Sequence, residues 1–257
     1  MTAENTSNEP NICYVDCIVC FIDLLGFEHT VNSKTKDEKV LVELYTMLSE
    51  LQSNKLVENI FDGIPVLTGD RKLITSGQAG TIEAAKKKWP LTITQFSDSF
   101  VLSCPVENIG SCRLLLQTVY AVKRLFFWHL GILMRGGIAK GQLIHEQGGV
   151  LFGPAMNAAY ALESKSAIYP RVLIADDAAK HLLDKLNIGD DPLLRPFFES
   201  FDGHTAIDIV SLLRLPHTNS ISMDQMKSKL DVMEADIQVH VPHALPKIRY
   251  LQDRLTH

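Results

Sequence analysis

The chain has 257 residues, 46% of them hydrophobic and 21% charged, with 25 Lys+Arg against 30 Asp+Glu for a formal charge of −5. That balance excludes a disordered or collagen-like chain and, on overall electrostatics, a basic nucleic-acid binder. No apolar run approaches the ~18–20 residues of a membrane span, and the polar stretch from Met1 to Pro10 has the features of neither a signal nor a transit peptide. A cytoplasmic protein with no membrane or nucleic-acid partner is expected.

Residues 1–12 form a polar tail without periodicity, expected to be disordered. An apolar strand at about 15–23 follows and ends in Asp23-Leu-Leu-Gly26-Phe27. It contains Cys17-Ile-Val-Cys20, which has the spacing of a zinc knuckle. On a strand, however, Cys17 and Cys20 point to opposite faces, and no second Cys/His pair follows at finger spacing, so buried core thiols are the expectation. Five cysteines without a secretion signal fit free thiols in a reducing compartment.

A helix is expected at about 38–53, with Leu41, Leu44, Tyr45, Leu48 and Leu51 on its buried face. The Gly-, Thr- and Lys-rich stretch at about 57–90 reads as a flap-like excursion. Strands at 91–96 and 100–104 bracket Ser97-Asp98-Ser99 as a hairpin. A long helix covers about 108–129 and is closed by Gly131, and a strand at about 132–144 carries Arg135-Gly-Gly-Ile-Ala-Lys-Gly141. Gln147-Gly-Gly149 turns the chain into a helix at about 154–165, then a strand at 171–175 and a helix at 176–187.

Helical period returns at Met223–Ile237 and at 245–256. The order β-α-β-β-α-β is the split βαβ, ferredoxin-like plan of an α+β domain. The economical division is one domain over 13–187, with a C-terminal extension over 188–257 packed on it.

Two carboxylates stand out. Asp23 ends an almost wholly apolar strand and Asp98 occupies the hairpin turn. Either alone has a dull reading as a turn or cap residue. In a split βαβ sheet, however, the first strand neighbours the hairpin, which brings the two acids to one edge. Close carboxylates with apolar flanks repel, so one takes a proton or the pair binds cations. Paired Asp oxygens suit Mg²⁺ or Mn²⁺.

Four segments, Phe21-Ile-Asp23-Leu-Leu-Gly-Phe27, Gln95-Phe-Ser-Asp98-Ser-Phe100, Arg135-Gly-Gly-Ile-Ala-Lys-Gly141 and Phe152-Gly-Pro-Ala-Met-Asn157, occur in that order. Together they resemble the class III nucleotidyl (adenylate/guanylate) cyclase catalytic domain over roughly residues 12–180. The Arg-Gly-Gly-Ile form, Gly153-Pro-Ala155, Ala159-Tyr-Ala-Leu-Glu163 and Pro170-Arg171 are most similar to the bacterial pyrimidine cyclases of the Pycsar antiphage system.

The resemblance implies a class III palm domain that cyclises UTP or CTP, with UTP favoured, to the 3′,5′-cyclic monophosphate and pyrophosphate. It implies two divalent cations, Mn²⁺ or Mg²⁺, on Asp23, Asp98 and the Leu24 carbonyl. It also implies a homodimer with composite sites, and a downstream receptor for the cyclic nucleotide in antiphage defence. Asn157 matches the family's transition-state Asn, but Ala161 stands where an Arg is expected. Arg135 and Arg171 are the candidates to contact phosphate in its place; the alternative for each is a structural ion pair, for Arg135 with Glu163. Thr94 and Pro154 replace the Lys and Asp that read a purine. Phe21 is placed to narrow the base pocket, with core packing as its other reading.

Three alternatives remain. One is a catalytically inactive nucleotide-binding domain and another is a purine cyclase. The third, a diguanylate-cyclase-like palm enzyme, lacks its Gly-Gly-acid-acid-Phe hairpin here.

Overall fold

A computed structural model of the chain describes residues 12–52, 66–67, 73–74, 87–186, 199–207, 210 and 222–256. Most of the tail at 1–12 and of the excursion at 57–90 lies outside these residues.

Strand β1 (Val15–Leu25) is the centre of the molecule and leads through α1 (Phe27–Ser33) into α2 (Glu38–Gln52). A small separate ribbon pairs β2 (Val66–Leu67) with β3 (Leu73–Ile74). The hairpin β4 (Thr92–Phe96) and β5 (Ser99–Pro105) comes next, then α3 (Ile109–Leu130) and the long strand β6 (Leu133–His145). Strand β7 (Leu151–Phe152), α4 (Pro154–Ser166), β8 (Val172–Ile174) and α5 (Asp176–Leu186) follow. The chain continues with β9 (Glu199–Phe201), β10 (His204–Ile207), α6 (Met223–His240) and α7 (Leu245–Thr256).

The main sheet runs β4-β5-β1-β6-β8-β10-β9, with β7 paired to β6. β1 is antiparallel to both β5 and β6. The four strands β4-β5-β1-β6 thus carry the ferredoxin-like order of two interleaved split βαβ units, as expected. β8 extends the sheet parallel to β6.

β1 is covered on both faces, which accounts for its nearly unbroken apolar run. Ile18, Cys20, Ile22 and Leu24 enter the large core beside α3, whereas Cys17, Val19 and Phe21 enter a smaller cluster with Ala155 and Ala159 of α4. The two thiols of the Cys17–Cys20 pair therefore lie on opposite faces. Burial pushes the Cys17 thiol up to about 11 and the Cys20 thiol higher still.

Helix α3 begins at Asn108, whose side chain accepts the Ser111 N–H at 3.0 Å, and ends at Gly131 with φ 64°. Helix α4 lies so close to β6 that a Cβ at Gly137 would run into the Ala159 carbonyl, and one at Gly153 would lie 2.6 Å from the Gln142 carbonyl. Only glycine permits that approach.

One expectation changes. On α2 the buried residues are Leu44, Met47 and Leu51, while Leu41 and Tyr45 are exposed. At 3.6 residues per turn the first three fall within about 60° of one another, and Leu41 and Tyr45 lie roughly 90–130° from their centre. The C-terminal helices pack into the large core. Met226, Leu230 and Met233 of α6 and Ile248, Leu251 and Leu255 of α7 join the large cluster. Helix α6 starts with a capping box, Ser222 and Gln225 bonding reciprocally at 3.1 and 2.8 Å. Among the described residues no helix is long and apolar enough to cross a membrane.

Candidate active site

The β1–β5 register sets Asp23 opposite Ser99, the residue after Asp98. The turn joining β4 to β5 is only two residues long, and Ser97 adopts φ 48°, a region few non-glycine residues enter. This tight turn brings the Asp98 carbonyl to the Leu24 N–H at 2.8 Å. Asp23 and Leu24 thus lie beside Asp98 at one end of the strands. Asp98 is exposed and the Asp23 side chain is 21% exposed. Carboxylate and carbonyl oxygens are hard donors of the kind that Mg²⁺ and Mn²⁺ take.

The repulsion expected between the acids is met by a cation of the chain itself. Arg135, directly opposite Asp23 on β6, places Nε 3.2 Å from Asp23 Oδ2, to which it donates. The same Nε lies 2.7 Å from Glu163 Oε1. That second contact is not aligned as a hydrogen bond, so Glu163 acts on Arg135 as a nearby charge. Glu163 is 3% exposed, on the same stripe of α4 as Ala155 and Ala159. Burial raises its carboxyl pKa, Arg135 pulls it down and Asp23 pushes it up again. For Arg135 the structure thus provides the ion pair with Glu163, and adds Asp23 to it.

Arg171 requires a correction. It is 2% exposed and forks onto Asp202 with both terminal nitrogens, at 2.9 and 2.7 Å. Its guanidinium also sits 5.9 Å from the rings of Tyr169 and Tyr250. A guanidinium so committed is a structural ion pair and not an open phosphate contact.

The base-side candidates share one face of the sheet. Thr94 is opposite Val101, Val101 opposite Phe21, and Phe21 opposite Gly137, a single row across four strands. Phe21 is 7% exposed and meets Tyr160 edge-on at 5.3 Å, so it packs as core while facing the same side as Asp23. Pro154 at the first turn of α4 and Asn157 one turn later are both exposed.

Neither a family model nor a curated relative matches the chain. Solved structures similar in shape include the monomeric guanylyl cyclase domain of the RhoGC fusion protein from the aquatic fungus Blastocladiella emersonii. It shares 16% identity over 75% of this chain and 94% of that one, with a TM-score of 0.42. A bacterial light-regulated adenylyl cyclase aligns at 18% identity over 66% of this chain and 80% of that one, with a TM-score of 0.36. The guanylate cyclase domain of RhGC from Catenaria anguillulae, in complex with GTP, aligns at 15% identity over 75% and 94%, with a TM-score of 0.40. At these identities and scores the functional reading rests on the chain's own residues.

The structure adds His145, which showed no metal spacing in the sequence. Beyond Gly141 the end of β6 curls over the sheet, so His145 Nε2 lies 2.8 Å from the Thr94 hydroxyl and Nδ1 2.7 Å from that of Ser103. Gln147, two residues on, bonds both the N–H and the carbonyl of Ile93 at 3.2 and 3.0 Å. The Thr94 hydroxyl therefore acts together with an imidazole. Burial lowers the His145 pKa from 6.5 to about 4, so the folded state holds the ring neutral where the unfolded chain would protonate it. The His145 contribution to stability is complete above about 6.5 and is lost as pH falls towards about 4. Urea unfolding at pH 7 and at pH 4.5 should show a smaller drop for His145→Gln than for wild type; equal drops would refute the assignment.

Proposed function

We propose that the protein is a nucleotide cyclase of the class III type that converts a pyrimidine nucleoside triphosphate, UTP or CTP, to its 3′,5′-cyclic monophosphate. The observation that carries this reading is the adjacency of the Asp23–Leu24 end of β1 and the Asp98 turn, held by the hydrogen bond from the Leu24 N–H to the Asp98 carbonyl. These three groups would hold two divalent cations, Mn²⁺ or Mg²⁺. When bound, such ions lower the pKa of the ribose 3′-hydroxyl and neutralise phosphate charge.

The chain's own residues position and balance charge. A bond forms between the 3′-oxygen and the α-phosphorus while the bond from that phosphorus to the bridging oxygen breaks. The hydroxyl proton passes to water and pyrophosphate leaves. Because both reacting groups belong to one substrate, orientation supplies much of the rate advantage. Arg135 keeps the Asp23 carboxylate fixed in direction, with Glu163 behind it. Asn157 is the exposed amide assigned to the reacting phosphate.

Preference for pyrimidines is supported by what the base side lacks. Thr94 and Pro154 supply no charged pair for a purine edge, and Phe21, on the sheet face it shares with Asp23, would narrow the base pocket. UTP is favoured over CTP by the resemblance alone. The remaining parts of the reading, also from the resemblance, are a homodimer with composite sites, a downstream cyclic-nucleotide receptor and a role in antiphage defence.

The test is to incubate purified protein with Mn²⁺ and each of the four ribonucleoside triphosphates and weigh the product. Preference for ATP or GTP would overturn the pyrimidine assignment, and no cyclic product from any of them would overturn the cyclase assignment. Phe21→Ala should narrow the gap between purine and pyrimidine turnover. It should also cost about 3 kcal/mol of stability, the usual scale for truncating a buried Phe, so the assay belongs at a temperature where the variant is folded.

A second reading, nucleotide binding without turnover, is favoured by two observations. Arg135 already occupies one oxygen of Asp23, and Ala161 leaves the helix without the expected cation.

A further inference from the structure

Where α1 meets the C-terminal helix α6, three side chains that can ligate a transition metal face one another. Asp236 and His240 stand one turn apart on α6, and His29 reaches them from α1. One donor atom from each of the three lies within 4.8 Å of the other two. His29 Nε2 is 3.9 Å from Asp236 Oδ2, and His240 Nδ1 is 3.2 Å from Asp236 Oδ1. Donors bound tetrahedrally to Zn²⁺ stand ~3.3 Å apart, a spacing that these two contacts bracket.

The surroundings select the kind of ion. Lys34 Nζ lies 2.6 Å from Asp236 Oδ2, which leaves Oδ1 for a metal and fixes the direction of the carboxylate, as outer partners of metal ligands do. His29 and Asp236 also line a cavity of about 110 Å³, together with Lys34 and Lys247. One carboxylate beside two ammonium groups gives little hold on a hard cation bound through oxygen charge, so Mg²⁺ and Mn²⁺ are disfavoured here. Two imidazole nitrogens and one carboxylate oxygen suit Zn²⁺, and the cavity has room for a water in the fourth position.

We propose that His29, Asp236 and His240 bind one Zn²⁺, with a water from the cavity as fourth ligand, and that the ion ties the C-terminal helix α6 to α1. The site differs from Asp23 and Asp98 in its residues and in its ligand chemistry, and it does not depend on the cyclase reading. Each imidazole ligates through an unprotonated nitrogen. At His240 the metal therefore replaces the proton that Nδ1 donates to the Asp236 carbonyl at 3.0 Å. Helix α1 follows β1 after Gly26 alone, so the ion anchors the chain just beyond the Asp23–Leu24 end of that strand.

The experiment titrates the full chain with Zn²⁺ against a chromophoric chelator, with excess Mg²⁺ present to fill any all-oxygen site. One equivalent of Zn²⁺ should bind and raise Tm, since the ion binds the folded arrangement of the three ligands. Co²⁺ in its place should show the visible absorption of a four-coordinate ion. His29→Ala, His240→Ala and Asp236→Asn should each weaken Zn²⁺ binding at least about a hundredfold, more than the loss of an outer partner costs. His204→Ala, which removes an exposed imidazole on β10, should stay within about twofold of wild type.

No Zn²⁺ uptake in excess Mg²⁺ overturns the proposal, and so does any of the three ligand variants that binds within about twofold of wild type. Neither result touches the cyclase reading, which the four triphosphates test by themselves. Should a ligand variant fail to fold, the wild type still decides. Zn²⁺ must shield His29 and His240 from carbethoxylation, and equal labelling with and without the metal refutes the site.

Discussion

Asp23→Asn and Asp98→Asn should each lower cyclic-nucleotide formation by about a thousandfold or more, while leaving the protein folded. A single carboxylate cannot hold two divalent ions against a triphosphate. Losing one ligand of such a site removes several kcal/mol of charge stabilisation, and about 4 kcal/mol is a factor of roughly a thousand in rate. The sequence alone suggests that removing one of two repelling acids would relieve strain. The structure gives another reason for the fold to survive. Asp23 is paired with Arg135 at 3.2 Å, and the two side chains are 21% and 28% exposed. An isosteric amide at Asp23 still leaves Arg135 beside the Glu163 carboxylate, so the guanidinium is not left without an anion. Activity within tenfold of wild type in either variant, measured at saturating Mn²⁺, would sink the assignment of these acids as metal ligands.

The fold was legible because its elements are long and strongly periodic. The run around Cys17–Ile22 needs cover on both faces, and the apolar stripe of the 109–130 helix ends at a glycine that takes the left-handed conformation. The β-α-β-β-α-β order then leaves few ways to pair the strands. What misled was width. On α2 the apolar residues span more than half the helix circumference, and local sequence does not say which part of a broad stripe faces inward. That was settled by the contact with β4 and α3, which selects Leu44, Met47 and Leu51.

The candidate site was legible where one strand order carried it. Placing β1 beside the hairpin brings Asp23 to Asp98 without knowledge of any side chain. Glu163 was within reach as well, since Ala155, Ala159 and Glu163 repeat every four residues, and a charged residue on that face must find a partner. His145 was not within reach. It meets Thr94 and Ser103 across 51 and 42 residues of chain. Such contacts arise from tertiary packing and leave no local period to read.

Arg171 and Asp202 should differ in what their loss costs, and the order separates a structural pair from a phosphate contact. Arg171 is 2% exposed, whereas the Asp202 side chain is 39% exposed in the β9–β10 turn. Asp202→Ala strands a buried guanidinium without its fork, which should cost about 3–5 kcal/mol. Arg171→Met leaves a carboxylate that water can reach and fills much of the same space, so about 1–2 kcal/mol is expected. The Arg171 hydrogen bonds hold the Asp202 pKa below its ordinary value, so the stabilisation is present above about 3.8 and is lost as pH falls through the lower folded value. Urea unfolding at pH 7 should therefore rank Asp202→Ala as the more damaged variant, and Arg171→Met should still bind pyrophosphate as wild type does. If Arg171→Met were as stable as wild type but lost pyrophosphate binding, Arg171 would be a phosphate ligand after all, and its pairing with Asp202 would be a resting arrangement that substrate displaces.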